Sequence, residues 1–251
     1  MPNLTVLSLN MQGVPASQIA AAILTIKPDI VALQEVPATS SFYAELSHGL
    51  KSSGDYAYTG PVREYPNPPP IIGRQYLDAQ GSMKQIFVLY KQSVLQLSKK
   101  LGLVNFLNDA NITAPRSVQE ARGQGFAARP PAYCRFTMTA TGESVGLFTW
   151  HAPTRVDAAH RAALDHFDDS FVLDQAVLKN HLTILAGDFN NDNLTNYFAD
   201  FQQGIQHKFD YILGDQATSC ADLSNGPHKG LLDSLCTKTQ DHFAMGATFT
   251  F

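Results

Sequence analysis

The sequence predicts an α/β fold in which β-sheets pack against one another and are covered by helices. Two observations predict this class: strand-like and helix-like segments are intermixed along the chain, and short hairpin-type strands fill its middle. Of the 251 residues, 44% are hydrophobic and 16% are charged, which is typical of a packed globular protein. No linker divides the chain, so we expect a single domain over residues 1–251.

The first part of the chain is predicted to form a strand, a helix and a second strand. Leu4–Asn10 alternates in the manner of a strand, and Ala16–Ile26 places apolar residues at helical spacing until Pro28 ends the helix. Asp29–Leu33 is a short apolar run, which indicates a strand buried on both faces. This strand is expected to end at Glu35.

The middle of the chain is predicted to be a long loop followed by an antiparallel meander. Tyr58–Gly81 is rich in Pro and Gly and indicates a surface loop, where substrate contacts are common. An irregular segment that bears arginines covers Thr113–Pro131. The strands expected around it are Gln85–Tyr90, Val94–Leu101, Tyr133–Thr139 and Val145–Thr149.

The last part of the chain is predicted to contain one long helix and three strands. Asp157–Leu178 is the longest helical pattern. The buried strand His181–Ala186 follows and leads into a Gly-Asp-Phe-Asn motif. The last two strands are expected at Phe209–Leu213 and His242–Phe251.

Polar residues gather where apolar runs stop, so one sheet edge is expected to present them together. They are Asn10, Glu35, His151, Asp188, Asn190, Asp210, Asp241 and His242. Carboxylates and amides without clustered cysteines suit Mg²⁺ better than zinc, with Mn²⁺ or Ca²⁺ as alternatives. Glu35 is the first choice for a direct metal ligand, and Asn10 and Asp241 would complete the site, partly through water. The alternative for Glu35 is a strand-terminal salt bridge.

Two pairs of residues have the chemistry needed to activate water and to move a proton. Asp188 and Asn190 can orient a water molecule and contact a phosphate oxygen, although an ordinary Asx turn is the competing interpretation. Asp210 is expected to hold the ring of His242, because the adjacent Asp241 points to the opposite face of a strand.

His151 and four arginines complete the candidate set. His151 follows a buried strand and enters a loop, and a core histidine with satisfied hydrogen bonds is the alternative. The arginines can bind phosphates through bidentate contacts. They are Arg116, Arg122, Arg129 and Arg135. A solvated charged face is the alternative, which we prefer for Arg116 and Arg122.

Taken in chain order, six segments between Leu7 and Phe243 resemble the signature segments of the endonuclease/exonuclease/phosphatase superfamily. They are LSLNMQG, DIVALQEV, FTWHAP, LAGDFN, FDYIL and DHF. Within the superfamily, LNMQG, QIFVLY and the segment at Arg129 look closest to the catalytic subunit of cytolethal distending toxin and to pancreatic-type deoxyribonuclease.

The resemblance implies a four-layer α/β sandwich, in which two facing, mainly antiparallel sheets are covered by helices. It also implies that water attacks a phosphodiester in line, and it gives each candidate residue a role. Glu35 would bind the metal, with Asn10 and Asp241 beside it. Asp188 and Asn190 would orient the nucleophile and the phosphate, and Arg129 would bind the phosphate. The scissile phosphate would lie between His151 and His242, and Asp210 would hold the ring of His242.

The sequence departs from pancreatic-type nucleases at two places. Pro37 stands where those nucleases carry an arginine after the QEV segment. The carboxylate that supports their first histidine is not evident, because Lys84 and Gln85 stand where it is expected. The role of His151 is therefore less well defined than that of His242.

The sequence thus predicts a monomeric, metal-dependent hydrolase of phosphodiester bonds that acts on DNA, with a toxin-like nuclease as one form of it. A phosphoinositide phosphatase, a sphingomyelinase-type phosphodiesterase and a non-catalytic binding module of the same fold are the alternatives. The net charge of −4 argues mildly against tight nonspecific binding to a polyanion.

Neither the cysteines nor the N-terminus suggests an extracellular framework. The three cysteines lack CxxC spacing, and a bridge between Cys220 and Cys236 is an alternative to free thiols. No signal peptide or membrane-length apolar run is present, so we expect a soluble protein without stable membrane insertion. The cytoplasm is the default location, and secretion or delivery as an effector is the alternative.

Overall fold

The computed structural model of the chain describes residues 1–64, 84–104, 129–153, 158–235 and 242–251. Within these residues the strands are β1 Asn3–Asn10, β2 Ile30–Val36, β3 Tyr56–Arg63, β4 Gln85–Lys91, β5 Leu95–Leu103, β6 Ala132–Met138, β7 Ser144–His151, β8 Leu182–Asp188, β9 Gln203–His207, β10 Asp210–Gly214, β11 Ser219–Asp222 and β12 Met245–Thr250. The helices are α1 Ala16–Ile26, α2 Ser40–Leu50, α3 Ala158–Asp168, α4 Phe171–Lys179 and α5 Lys229–Ser234.

The strands form two six-stranded sheets that face each other. The strand order is β11-β12-β1-β2-β4-β3 in the first sheet and β5-β6-β7-β8-β10-β9 in the second. The central pair of each sheet, β1 with β2 and β7 with β8, is parallel, and the other pairs are antiparallel. The predicted arrangement of two facing, mainly antiparallel sheets is confirmed.

Three apolar cores hold the layers together. The central core lies between the sheets and is built from alternate residues of both, such as Val6, Phe136 and Ile184. A second core joins α1 and α2 to the outer face of the first sheet, and a third joins α3 and α4 to the outer face of the second. The chain is therefore a four-layer α/β sandwich, as the resemblance implied.

The structure corrects four of the predicted elements. The long helical pattern is two helices, because Ser170 breaks it and caps α4 by accepting a hydrogen bond from the Leu173 N–H at 3.2 Å. The first six residues of the predicted Pro-rich loop belong to β3, and residues 65–83 lie outside the described residues. The strands β4 and β5 belong to different sheets, so the meander consists of β5, β6 and β7 only. His242 precedes β12, which begins at Met245.

Several features fell outside the sequence prediction or outside the described residues. The predicted elements did not include α2, β9, β11 or α5. Most of the irregular segment with Arg116 and Arg122 lies outside the described residues. Cys134 and Cys220 carry free thiols, and Cys236 is not among the described residues. No helix in the described part of the chain is long and apolar enough to span a membrane.

We expect Gly187→Ala to destabilise the fold severely. Gly187 has φ +148°, and a Cβ at this position would lie 2.0 Å from the Trp150 carbonyl oxygen of the neighbouring strand. Because a backbone atom blocks the methyl group, we expect a loss of about 3 kcal/mol or more in the free energy of unfolding. Urea denaturation measures this loss. The matched control is Gly102→Ala, where no atom lies within 4 Å of the added Cβ; an equal, small effect of both substitutions would contradict the prediction.

Asp215 is expected to make folding stability depend on pH. Its buried carboxylate accepts a hydrogen bond from the Thr183 N–H, and burial raises its pKa to about 7 despite that bond. Because the folded pKa exceeds the unfolded value, the associated stability is present below about pH 4 and is lost as the pH rises through 7. Wild-type protein should lose about 2 kcal/mol relative to Asp215→Asn between pH 4 and pH 8. Urea titrations of both proteins measure the free energy of unfolding at each pH. A difference between the two proteins that did not vary with pH would contradict the prediction.

Candidate active site

The candidate site lies at the edge where the parallel strands of both sheets end. Asn10 ends β1, His151 ends β7 and Asp188 ends β8. Asn10 Nδ2 donates a hydrogen bond to Asp188 Oδ2 at 3.0 Å, which connects the first sheet to the second. Just below it, Gln34 Nε2 donates to Thr149 Oγ1 at 2.9 Å. The site is therefore shared between the sheets.

The register of the second sheet places three candidate site residues in one row. His151 is the cross-strand partner of Asp188, and Asp188 is the partner of Asp210. Cross-strand partners project to the same face, which here is the inter-sheet face. The apolar residues of these strands fill the central core, and the polar row closes it at the edge.

Glu35 reaches the site because the strand is irregular at this residue. Leu33 and Val36 pair with β4 on either side of a register shift, and Glu35 has φ +55°. Regular alternation would place Glu35 on the face opposite to Gln34, but bulges redirect side chains. Glu35 Oε1 consequently lies 3.4 Å from His151 Nε2.

Asp188 is the centre of the polar cluster. Its side chain is buried, and its Oδ1 accepts a hydrogen bond from the Asn190 N–H at 2.8 Å. Its Oδ2 accepts from Asn10 and lies 3.4 Å from both His151 Nε2 and His242 Nδ1. The Asx turn and the active-site interpretation of the Asp188 and Asn190 pair are therefore compatible.

His242 lies between two buried carboxylates. Its Nδ1 is 3.4 Å from Asp188 Oδ2 and 3.4 Å from Asp210 Oδ2. Burial lowers the pKa of His242, but the hydrogen bond with Asp210 and the charges of both carboxylates outweigh burial and raise it to about 9. His242 is thus protonated at neutral pH. Asp241, the neighbouring residue, lies outside the described residues.

The structure supplies the carboxylate partner of His151 that the sequence did not reveal. Glu64, the residue after β3, is fully buried, and its Oε2 lies 2.9 Å from His151 Nδ1. Its Oε1 accepts a hydrogen bond from the Glu35 N–H. The carboxylate was not evident from the sequence because it was expected at Lys84 and Gln85. The only signal for Glu64 in the sequence is an isolated Glu before a Pro-rich stretch.

His151 is held as a neutral ring. Burial and the charge of Arg129 lower its pKa to about 3, although Glu35 and Asp188 oppose the shift. The contact with Glu64 fixes the proton on Nδ1 and leaves a lone pair on Nε2. That lone pair faces carboxylate oxygens of Glu35 and Asp188.

Two further cations lie beside these carboxylates. Lys84 Nζ forms an ion pair with Glu35 Oε2. Arg129 is 4% exposed, and its Nη1 donates to the Ala152 carbonyl at 2.8 Å. Burial lowers the pKa of Arg129, and the charges of Glu64 and Glu35 oppose that shift. The structure thus places Arg129 as a buried counter-charge, and its predicted contact with a phosphate stays a prediction.

The donor atoms fit a divalent cation. Asn10 Oδ1 is buried and has no hydrogen-bond partner among the described residues, although it lies beside the carboxylates. The lone pair of His151 Nε2 faces carboxylate oxygens of Glu35 and Asp188, which repel it. A cation bound between them would remove this repulsion. Asp188, Asp210 and His242 offer a second set of ligand atoms, all within 4.8 Å of one another. Oxygen-rich sets of this kind suit Mg²⁺, Mn²⁺ or Ca²⁺.

Asn190 lies at the rim of the site. It is half-buried, has φ +50° and donates a hydrogen bond from Nδ2 to the Ala152 carbonyl at 2.8 Å. One amide hydrogen is therefore used to fix the loop after β7. Its predicted contact with a phosphate oxygen stays a prediction.

Comparisons with known proteins agree with this fold. The family model described as endonuclease/exonuclease/phosphatase family matches residues 7–242, and the chain belongs to this family. Among solved structures, TDP2 from D. rerio complexed with a single-strand DNA product is 14% identical, with 100% of both chains covered and a TM-score of 0.60.

Two further solved structures are similar to this chain. The endonuclease/exonuclease/phosphatase from Bacteroides vulgatus is 13% identical, covers 100% of both chains and has a TM-score of 0.61. Truncated TDP2 from Caenorhabditis elegans is 15% identical, with 99% of this chain and 98% of that chain covered and a TM-score of 0.58. No curated protein sequence matches the chain.

We expect Lys84→Met to tighten the binding of a divalent cation. The Lys84 ammonium occupies one oxygen of Glu35 and repels a second cation, whereas Met keeps the aliphatic stem. Removing the positive charge that is paired with Glu35 should lower the Kd for Mn²⁺ by about tenfold or more. Isothermal titration calorimetry measures this, with Lys91→Met at the other end of β4 as the control. Unchanged or weaker binding would contradict the prediction.

Proposed function

We propose that this chain is a divalent-metal-dependent hydrolase that cleaves phosphodiester bonds in DNA. The observation that carries the proposal is the convergence of Asn10, His151 and His242 on one oxygen of the buried Asp188. Two imidazoles of opposite protonation state, set around a carboxylate, match the need to receive one proton and to donate another.

The residues divide this work by their environments. His242, protonated between Asp188 and Asp210, donates a proton to the departing oxygen or neutralises charge on the phosphate. Asp188 accepts the proton of the attacking water or orients it, and the neutral His151 hydrogen-bonds to the phosphate or the water through Nε2. The positive charge of the buried Arg129 stabilises the carboxylates of Glu64, Glu35 and Asp188.

The metal would be bound by Glu35 through Oε1 and by Asn10 through Oδ1, with Asp241 as a further ligand. When bound, a divalent cation supplies positive charge to the phosphate oxygens and lowers the pKa of a coordinated water. Lys84 retains the other oxygen of Glu35 or moves to the phosphate of the substrate.

DNA is our choice of substrate for three reasons. The segments LNMQG and QIFVLY resemble pancreatic-type deoxyribonuclease and the toxin subunit, and the Glu64 contact with His151 removes one of the two departures from that subgroup. The structurally similar fish TDP2 has been crystallised with a single-strand DNA product. A monomer suffices, since both halves of the site come from one chain.

A phosphoinositide phosphatase or a sphingomyelinase-type phosphodiesterase is the second candidate. The observation that favours it is the net charge of −4, which opposes long-range attraction of a polyanion. A smaller phosphate ester needs no extended basic surface. A binding module without turnover is the third candidate, and the intact set of site residues argues against it.

The test is cleavage of supercoiled plasmid with Mg²⁺ or with a chelator, beside phosphate release from a phosphoinositide. The variants are His242→Ala and, as a matched control on the exposed face of α2, His48→Ala. Nicking that requires the metal and His242 but not His48 supports the proposal. Phosphate release without nicking would favour the phosphatase, and loss of neither reaction in His242→Ala would exclude the proposed site.

A further inference from the structure

Three basic residues lie close together on the outer side of the second sheet, away from the candidate active site. Lys99 of β5 is the cross-strand partner of Arg135 of β6. Arg135 Nη2 donates a hydrogen bond at 3.0 Å to the backbone carbonyl of Lys179, the last residue of α4. We call Lys99, Arg135 and Lys179 the basic cluster.

The packing of β6 and the contacts of β5 place the cluster on the outer face. Cys134 and Phe136 of β6 belong to the core between the sheets, so the alternate residue Arg135 points outwards. The Lys99 ammonium lies 5.0 Å from the centre of the Tyr133 ring, which is also on the outer face. Lys99 and Lys179 are exposed, and Arg135 is half-buried.

No carboxylate among the described residues neutralises the charge of the cluster. Like charges directly opposite each other on neighbouring strands are destabilising. None of the three cations forms an ion pair with a carboxylate in the part of the chain that the structure describes. Arg135 Nε is buried and has no hydrogen-bond partner among those residues. Their contacts with Tyr133 and with a carbonyl leave a net charge of three in a chain whose total is −4.

We propose that the basic cluster binds backbone phosphates of the same nucleic-acid strand whose scissile phosphate occupies the active site. This inference rests on the proposed function and adds to it a second, separate contact region. Its physical basis is a like-charge pair that a bound anion would stabilise, since the described residues offer no carboxylate to it.

The separation of the two regions fits several nucleotides of a strand. Gly146, the cross-strand partner of Arg135, lies five residues before His151 on the same strand β7. At about 3.3 Å per residue this corresponds to roughly 16 Å. A nucleic-acid backbone that rises about 3.4 Å per nucleotide covers this distance in about five nucleotides. The cluster should therefore contribute only to strands longer than that.

The experiment measures binding of fluorescent single-stranded oligodeoxynucleotides by anisotropy, with a chelator present to prevent cleavage. A trimer reaches only the active site, whereas a 12-mer reaches both regions. The variant is Lys99→Glu with Lys179→Glu, which leaves the half-buried Arg135 in place. The control, Lys27→Glu with Lys51→Glu, makes the same change in net charge at two exposed residues that cap helices on the opposite layer.

We expect the cluster variant to bind the 12-mer at least about tenfold more weakly than the control variant at low salt, and to bind the trimer as the control does. The slope of log Kd against log salt for the 12-mer should fall by about 1.4, at about 0.7 per lost phosphate contact. Equal behaviour of the two variants would overturn the inference, as would an equal loss for trimer and 12-mer.

Two further measurements separate this inference from its rivals. Loss of binding to vesicles that contain phosphatidylserine, with unchanged binding of the 12-mer, would overturn it in favour of a membrane contact. Metal-dependent hydrolysis of bis(4-nitrophenyl) phosphate, too small to reach the cluster, tests the proposed function alone and should be the same in both variants. If this hydrolysis is present and the cluster has no effect on the 12-mer, only the further inference fails.

Discussion

Asp188→Asn should lower kcat/KM for phosphodiester hydrolysis by at least about 10³-fold while the protein remains folded. Asn keeps the shape of the side chain but removes the charge that faces His151 and His242 and that accepts from Asn10. One substitution therefore weakens the protonation of one imidazole, the positioning of the other and the orientation of water.

The measurement combines steady-state kinetics with thermal unfolding. Because Asp188 and Asp210 are buried neighbours, the loss of one negative charge should leave Tm unchanged or raise it slightly. Asp233→Asn, on the exposed surface of α5, is the control and should retain full activity. Activity of Asp188→Asn within tenfold of wild type would contradict the central role of this carboxylate.

Glu64→Gln should lower kcat by about 10- to 100-fold, mainly without changing KM. Glu64 is too deeply buried to meet a substrate, and its Oε2 contacts His151 Nδ1 at 2.9 Å. Gln presents an amide with the same shape but without the negative charge that fixes the imidazole proton. We therefore expect Glu64 to be a positioning residue that acts through His151.

A double-mutant cycle distinguishes this role from a general structural one. If Glu64 acts through His151, the effects of Glu64→Gln and His151→Ala should not add, and the double variant should be about as active as His151→Ala. Additive losses would show that Glu64 acts independently of the imidazole. Glu45→Gln, on the exposed side of α2, serves as the control for loss of a carboxylate.

The sequence predicted that most residues of the candidate site would lie together, because these residues end apolar runs. Asn10, His151 and Asp188 each follow a buried strand, and the structure brings them together at one edge. A hydrophobic pattern shows where each strand ends, and the parallel pairs β1–β2 and β7–β8 bring the carboxyl ends of their strands to the same edge. The fold class was predictable for the same reason, since buried strands and amphipathic helices leave different periodicities.

The remaining site residues depend on tertiary contacts that no local pattern encodes. Glu64 meets His151 across 87 positions of sequence, and it follows a strand whose Gly60 and Pro61 look like a turn. Glu35 reaches the site through an irregular strand pairing, where simple alternation would turn it away. A carboxylate was expected at the position of Lys84, and Lys84 instead forms an ion pair with Glu35.

Because the hydrogen bond between Asn10 and Asp188 joins the two sheets, we expect the activity of the proposed site to depend on how the sheets are stacked. Each sheet carries only part of the site, and the apolar core between them fixes the alignment. A compact state that keeps its secondary structure but loses fixed side-chain packing would separate the two parts. Under mild denaturation, enzymatic activity and near-ultraviolet circular dichroism should therefore be lost together, before the far-ultraviolet signal of the strands and helices declines.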